Sequence, residues 1–103
     1  MAITLTTLAD GQMPSTITTA YTAPASTTAV ILSAIFHNTD SGAHTIEMYL
    51  NTGTNRQLFE ISLSANQSYM FTERVVIETS SSIRLNCDAG SVVDYVISGL
   101  EVT

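Results

Sequence analysis

Residues 27–51 read TTAVILSAIFHNTDSGAHTIEMYLN, and they decide the fold class. Apolar side chains crowd the run from Ala29 to Phe36, and a polar turn follows, Asn38-Thr39-Asp40-Ser41-Gly42. Beyond it Ile46, Met48 and Leu50 alternate with Glu47, Tyr49 and Asn51. Alternation with period two is the mark of a strand with one face buried, because successive side chains leave a pleat on opposite sides. The expected structure is a β-hairpin whose first strand is apolar on both faces. Two registers fit. One sets His37 opposite His44 and Ile35 opposite Ile46; the other sets Phe36 opposite Ile46 and Leu32 opposite Leu50. A one-residue slip exchanges the faces of a strand. Under either register the first strand keeps a second apolar face: Val30, Leu32 and Phe36, or Ile31 and Ile35. A thin sandwich buries one face of each sheet, so the other must be exposed or covered, and an exposed apolar face marks an interaction surface. We expect a neighbouring subunit or the N-terminal segment to cover it.

Outward from this stretch the same pattern continues. Residues 2–8 alternate Ile3 and Leu5 with threonines, and Asp10-Gly11 and Pro14 read as a loop. Further strands are expected over residues 16–22, 56–63, 68–72, 74–78, 83–87 and 91–98, with an irregularity near Glu73 and a bend or bulge at Gly99. Turn signals recur about every 9–13 residues, the spacing of an all-β sandwich or barrel. The expected fold is all-β, an antiparallel β-sandwich or jelly-roll-like barrel of seven to nine strands. Residues 1–20 read as an N-terminal extended arm and strand, and residues 21–103 as the β-sandwich domain.

Composition narrows the function classes. The chain has 103 residues, which suits one domain. Charged residues are only 12%, and net charge is −6. Ser and Thr, about a quarter of the chain, take over the surface. Arg56, Arg74 and Arg84 are the only basic residues besides two histidines, and they form no stripe that could meet a phosphate backbone. Direct nucleic-acid or anionic-membrane binding is therefore not expected. No apolar run approaches the ~18 residues of a membrane helix. The first residues, MAITLTTLAD, lack the charged and apolar regions of a signal peptide, so synthesis in a cytoplasm is expected. Cys87 stands alone, in phase with Ile83 and Leu85, and reads as a small buried hydrophobe.

Chemistry is sparse. No phosphate-binding, dinucleotide-binding, zinc-protease or nucleophile-elbow motif occurs, so neither a catalytic activity nor a cofactor is expected. His37, His44 and Asp40 would gather at the turn in the first register, where a metal is conceivable, but polar residues flanking a hairpin turn are far commoner. Glu47, Glu60, Glu73, Glu78 and Glu101 read as solvated strand positions. The candidate interface residues are Ile3, Leu5, Val30, Leu32, Phe36 and Tyr49.

The string Tyr21-Thr22-Ala23-Pro24-Ala25-Ser26-Thr27-Thr28-Ala29-Val30-Ile31 resembles the opening of small virion structural proteins of tailed bacteriophages. An apolar strand, an Asn-Thr-Asp turn at Asn38-Thr39-Asp40 and a strand of the form HTIEMYL at residues 44–50 follow in the same order. The later half is similar as well: a Ser-Ala-Asn-Gln turn, a VVIE segment, a SIRL strand and an ending in Ser98-Gly99-Leu100-Glu101. The likeness covers residues 21–101 and carries no active-site residue. It implies a structural protein of a phage particle, made in a bacterial cytoplasm and residing in the virion. Its partners would be itself, as a closed ring or trimer, and a major capsid or other virion protein. Capsid decoration is the leading role and a neck or tail accessory the next. The alternative is a tail or fibre-tip module that binds a host receptor or carbohydrate, with Tyr49 as a contact.

Overall fold

The computed structural model describes residues 1–103. Nine strands form without a helix: β1 (Ile3–Gln12), β2 (Thr18–Thr22), β3 (Thr28–Asn38), β4 (His44–Asn51), β5 (Asn55–Leu63), β6 (Ser68–Phe71), β7 (Val75–Ile77), β8 (Ser82–Cys87) and β9 (Val93–Val102). One sheet runs β1-β9-β3, with β6 and β7 sharing the position beyond β3; the other runs β2-β8-β4-β5. All pairings are antiparallel. Every connection except β4–β5 and β6–β7 crosses between the sheets. The pairs β1·β9, β2·β8, β3·β6/β7 and β4·β5 nest inside one another along the chain. This is the winding of a jelly roll, with one of its eight strand positions split in two.

Residues 27–51 are therefore not a hairpin. β3 and β4 belong to opposite sheets, and residues 39–43 form an arch between them. Alternation shows which side of each strand is inside, but it is the same whether two strands lie side by side or face to face. Asn38 marks the difference. It is fully buried, and its Nδ2 donates to the carbonyls of Gly42 (2.8 Å), Ser64 (3.1 Å) and Leu63 (3.2 Å). Its Oδ1 accepts from the Asp40 amide at 3.0 Å, an Asx turn that bends the chain toward the second sheet. The Thr39 amide and hydroxyl both donate to Val92 O, at 2.8 and 2.7 Å, tying the arch to the entry of β9.

The core lies between the sheets. Ile31, Ala34, Phe36, Val93 and Ile97 come from one side and Ile46, Met48, Leu63, Ile83, Leu85 and Cys87 from the other. Phe59 sits among Phe36, Tyr69 and Phe71 with ring centroids 5.2–5.4 Å away, within the range of favourable aromatic pairing. Cys87 is 1% exposed, as its phase with Ile83 and Leu85 requires, and burial pushes its thiol up.

Three local expectations change. Asp10-Gly11 does not turn: Gly11 adopts φ 144°, a conformation open to glycine, and β1 stays paired with β9 through Gln12. Residues 3–12, read from the sequence as part of an extended arm and strand, are strand throughout and lie as β1 along the chain's own β9. Gly99 does not bend β9; its neighbours bulge instead, with Leu32 unpaired in β3 and Leu8 unpaired in β1.

Candidate functional site

The bulge at Leu32 decides what β3 shows to each side. Before it Ala29 and Ile31 point inward; after it Ala34, Phe36 and Asn38 do. One extra residue shifts the alternation by one. The outward set is therefore Val30, Leu32 and Ile35, which neither uniform register supplies. Phe36 is 0% exposed and packs on Phe59 and Tyr69, so its place in the interface set is corrected to the core.

Residues directly opposite in paired strands share a face, so register maps the outer surface of this sheet. Leu5, Leu100, Val30 and Val76 form one row that crosses all four strand positions. Val96, Ile35 and Met70 form a second row. Ile3 and Val102 begin a third, which ends at Thr28. Leu32 lies between the first two rows beside Ser33, Ser98 and Thr7. Exposure is high for side chains this apolar: Leu5 71%, Ile3 63%, Met70 59%, Val76 54%, Ile35 43% and Val96 43%. Within the three rows there is one charged side chain, Asp10, at the β1 edge opposite Val96. The fourth row, His37, Asp94 and Gln12, is polar: Gln12 Nε2 donates to Asp94 Oδ1 at 3.2 Å and His37 Nδ1 meets Ser68 Oγ at 2.7 Å. The outer face of this sheet is thus mainly apolar, three rows with one hydroxyl-bearing level bridged by Leu32 between the first two, and it has a polar end.

Four of the six candidate residues, Ile3, Leu5, Val30 and Leu32, come together here. Tyr49 does not; it lies on the outer face of the other sheet and its hydroxyl donates to Glu47 Oε2 at 2.9 Å. Leu100, Val102, Val96, Val76 and Met70 complete the surface. Their signal in the sequence was a second apolar phase in β6, β7 and β9, unreadable without knowing which strands were neighbours. The N-terminal segment does not cover the surface. As β1 it extends the sheet sideways and adds Ile3 and Leu5 to the exposed rows.

The opposite wall is polar. Glu47 accepts from Asn86 Nδ2 (2.6 Å), Gln57 Nε2 (2.8 Å) and Tyr49, and these bonds hold its carboxyl below the usual range, Asn86 most of all. Glu101, read as an outward carboxylate, instead accepts from Tyr21 Oη at 2.6 Å across the sheets; burial first and Glu101 second push that phenol up.

The two histidines are apart, because β3 and β4 do not pair. His44 is gripped from both sides: Nε2 lies 2.6 Å from Asp40 Oδ2 and Nδ1 2.7 Å from Asp88 Oδ1. Two carboxylates on one ring call for two N–H donors, which is the imidazolium. The hydrogen bond to Asp40, then that to Asp88, raises the His44 pKa. Asp40 is lowered, chiefly by His44. Burial raises Asp88, but the Thr45 amide and His44 outweigh it and the result is a lowered pKa. This clamp joins the arch to the β8–β9 turn. The raised histidine contributes stability that is full below its unfolded value, about 6.5, and is lost as pH rises through the folded pKa. The lowered carboxylates contribute stability that is full above about 3.9 and is lost as pH falls through their folded pKa values. The melting temperature is expected to be higher at pH 6 than at pH 8.5. His44→Gln should flatten that slope; an unchanged slope in the variant would mean the clamp does not set it.

No family model matches the chain, and no curated protein matches it. Among solved structures, chains in the structures of infectious bursal disease virus, Gt strain and Gx strain, are similar at 16% and 15% identity, with TM-scores of 0.40 and 0.39. The matches cover 97% of this chain and 32% and 30% of the others, so it spans about a third of the length of the chains it resembles. At that level the likeness is one of general β architecture and carries nothing about what this chain does.

Proposed function

We propose that the chain is a structural subunit of a virus particle that works by association through the outer face of the β1-β9-β3-β6/β7 sheet. The observation that carries this is the apolar row Leu5-Leu100-Val30-Val76, which crosses the whole sheet with no charge in it. A free monomer would leave that row and the two beside it in water, and continuous exposed apolar surface of this kind is the mark of a partner. Jelly rolls build viral shells among other things, so the fold admits the role without assigning it. The sequence resemblance to tailed-phage virion proteins favours a decoration subunit on a head shell over a neck or tail accessory.

Mass spectrometry of purified particles should find the chain in fixed proportion to a shell or tail protein. Its absence from the particle would sink the proposal. Two neighbouring substitutions then separate assembly from folding. Ile35→Glu places a charge between Val96 and Met70 on the outer face and should leave a folded chain that no longer joins particles. Phe36→Glu buries a carboxylate among Phe59 and Tyr69, a cost of several kcal/mol that should prevent folding. Circular dichroism and particle incorporation, measured on both, check the pair.

A further inference from the structure

We infer that the occupant of the apolar sheet face is a second copy of this chain, stacked face to face about a two-fold axis that runs across the strands. This rests on the proposal that the face is an assembly surface, and it adds which partner and which orientation.

The size of the face suits such a pair. Its three apolar rows and the Leu32 level stand about 7 Å apart along strands that are about 4.8 Å apart, giving roughly 500 Å² in projection and more as accessible surface, because the side chains stand up from the plane. Each partner of a standard stable interface contributes about 600–1,000 Å². The chemistry suits an identical partner. The middle of the face holds aliphatic side chains and the hydroxyls of Ser33, Ser98 and Thr7, so there is no charge for a foreign surface to complement. A flat, twisted, aliphatic sheet is what another such sheet packs against, about 10 Å away, as the two sheets of this chain already do. A two-fold pairing also closes, leaving no apolar row for a third copy.

The orientation follows from the charges. The chain carries net charge −6, and on this face the acids Asp94 and Asp10 sit toward one end, with Gln12 and His37. An axis along the strands would lay one acidic end on the other. An axis across the strands, passing near the level of Gly99, overlaps the apolar rows and sends the acidic ends to opposite sides. Row spacing then places the two Asp94 positions about 35 Å apart, several screening lengths at physiological salt. Asp94 stays outside the overlap in water, and Asp10, at the β1 margin of the second row, lies at the rim of the overlap where solvent reaches it.

Sedimentation equilibrium of the full chain tests the occupant. A dimer at micromolar concentration is expected, with Val96→Glu and Met70→Glu weakening it at least 100-fold at unchanged circular dichroism. Met70 lies toward the sheet edge and is 59% exposed, so its variant remains informative should Val96→Glu fold poorly. A strict monomer up to 100-fold higher concentration, a trimer or ring, or a dimer indifferent to both substitutions would overturn the inference. Spin labels at Asp94→Cys, with Cys87→Ala to remove the native thiol, test the orientation. A distance of about 35 Å supports the crossing axis, and one below about 20 Å overturns it. The particle measurement is separate: a chain that dimerises but is missing from particles defeats the functional proposal alone. A chain found in particles but monomeric in solution defeats the pairing alone.

Discussion

Gly99→Ala is expected to yield no stably folded protein. Gly99 lies in β9, the strand flanked by β1 and β3, paired with Thr6 on one side and Ile31 on the other. A Cβ built there would stand 2.0 Å from the Val30 carbonyl oxygen, 3.0 Å from the Val30 carbonyl carbon and 3.0 Å from Leu8 Cδ1. Two of those three atoms are backbone of the adjacent strand, and backbone cannot rotate aside as a side chain does. Relief requires β3 to move off β9, which breaks the ladder that joins two of the three longest strands. The cost should exceed about 4 kcal/mol, a large part of the 5–15 kcal/mol by which a domain is stable. Gly42→Ala is the control. Nothing stands within 4 Å of its Cβ position and its φ is not positive, so stability should hardly change. Leu8→Ala combined with Gly99→Ala should not rescue folding, since it removes the 3.0 Å side-chain contact and leaves the 2.0 Å backbone one. Urea unfolding followed by circular dichroism measures all three. A loss under 1 kcal/mol for Gly99→Ala would show that β3 and β9 are not so tightly apposed.

Asn38→Leu should be nearly as severe, for a chemical reason in place of a steric one. The leucine has similar volume and is more apolar, and burial alone would favour it. It leaves the Asp40 amide and the carbonyls of Gly42, Leu63 and Ser64 without their partner at a site that is 0% exposed. Each buried polar group left unpaired costs about 1–3 kcal/mol, so a total near 4 kcal/mol is expected. Asn38→Asp should be no better: it keeps an acceptor for Asp40 but turns an oxygen toward three carbonyls that need a donor. The same unfolding measurement applies. A penalty below about 1 kcal/mol for Asn38→Leu would mean water satisfies the arch and Asn38 is not its fastening.

These two residues also show what could be read from the sequence. The inward phases of β4, β5 and β9 were legible, because Ile46-Met48-Leu50, Phe59-Ile61-Leu63 and Val93-Tyr95-Ile97 are plain alternations. So were most of the later turns, the all-β class and the surplus apolar surface. Connectivity was not. Asn38 reads as an ordinary turn residue, and only its four partners from the arch and the β5–β6 turn reveal a crossing between sheets. Phase through β3 was not legible either. The bulge at Leu32 lies in the ladder with β9, beside the close approach of Gly99 to Val30, and no local pattern records a neighbour that distant in the chain. Hence Val30 and Leu32 were placed outside correctly while Phe36, on the same assumed phase, was not. Tyr49 followed the outward phase of β4 faithfully but on the other sheet.

The position of β9 has a consequence for how the molecule comes into being. The strand that holds β1 and β3 together is the last of the nine to be synthesised. Roughly 55 residues separate the end of β3 from the start of β9, several seconds of translation at about 5–20 residues per second. During that interval β1 has no neighbour, β3 has an open edge, and the apolar rows are incomplete. The pairing of β1 with β9 is slow to form in any case, since it must close a loop that holds all seven strands between them. Productive folding of this sheet must therefore wait until β9 has been made, and the nascent chain is most prone to aggregate until then. A truncation within residues 93–102 would remove the middle of a sheet and not its margin.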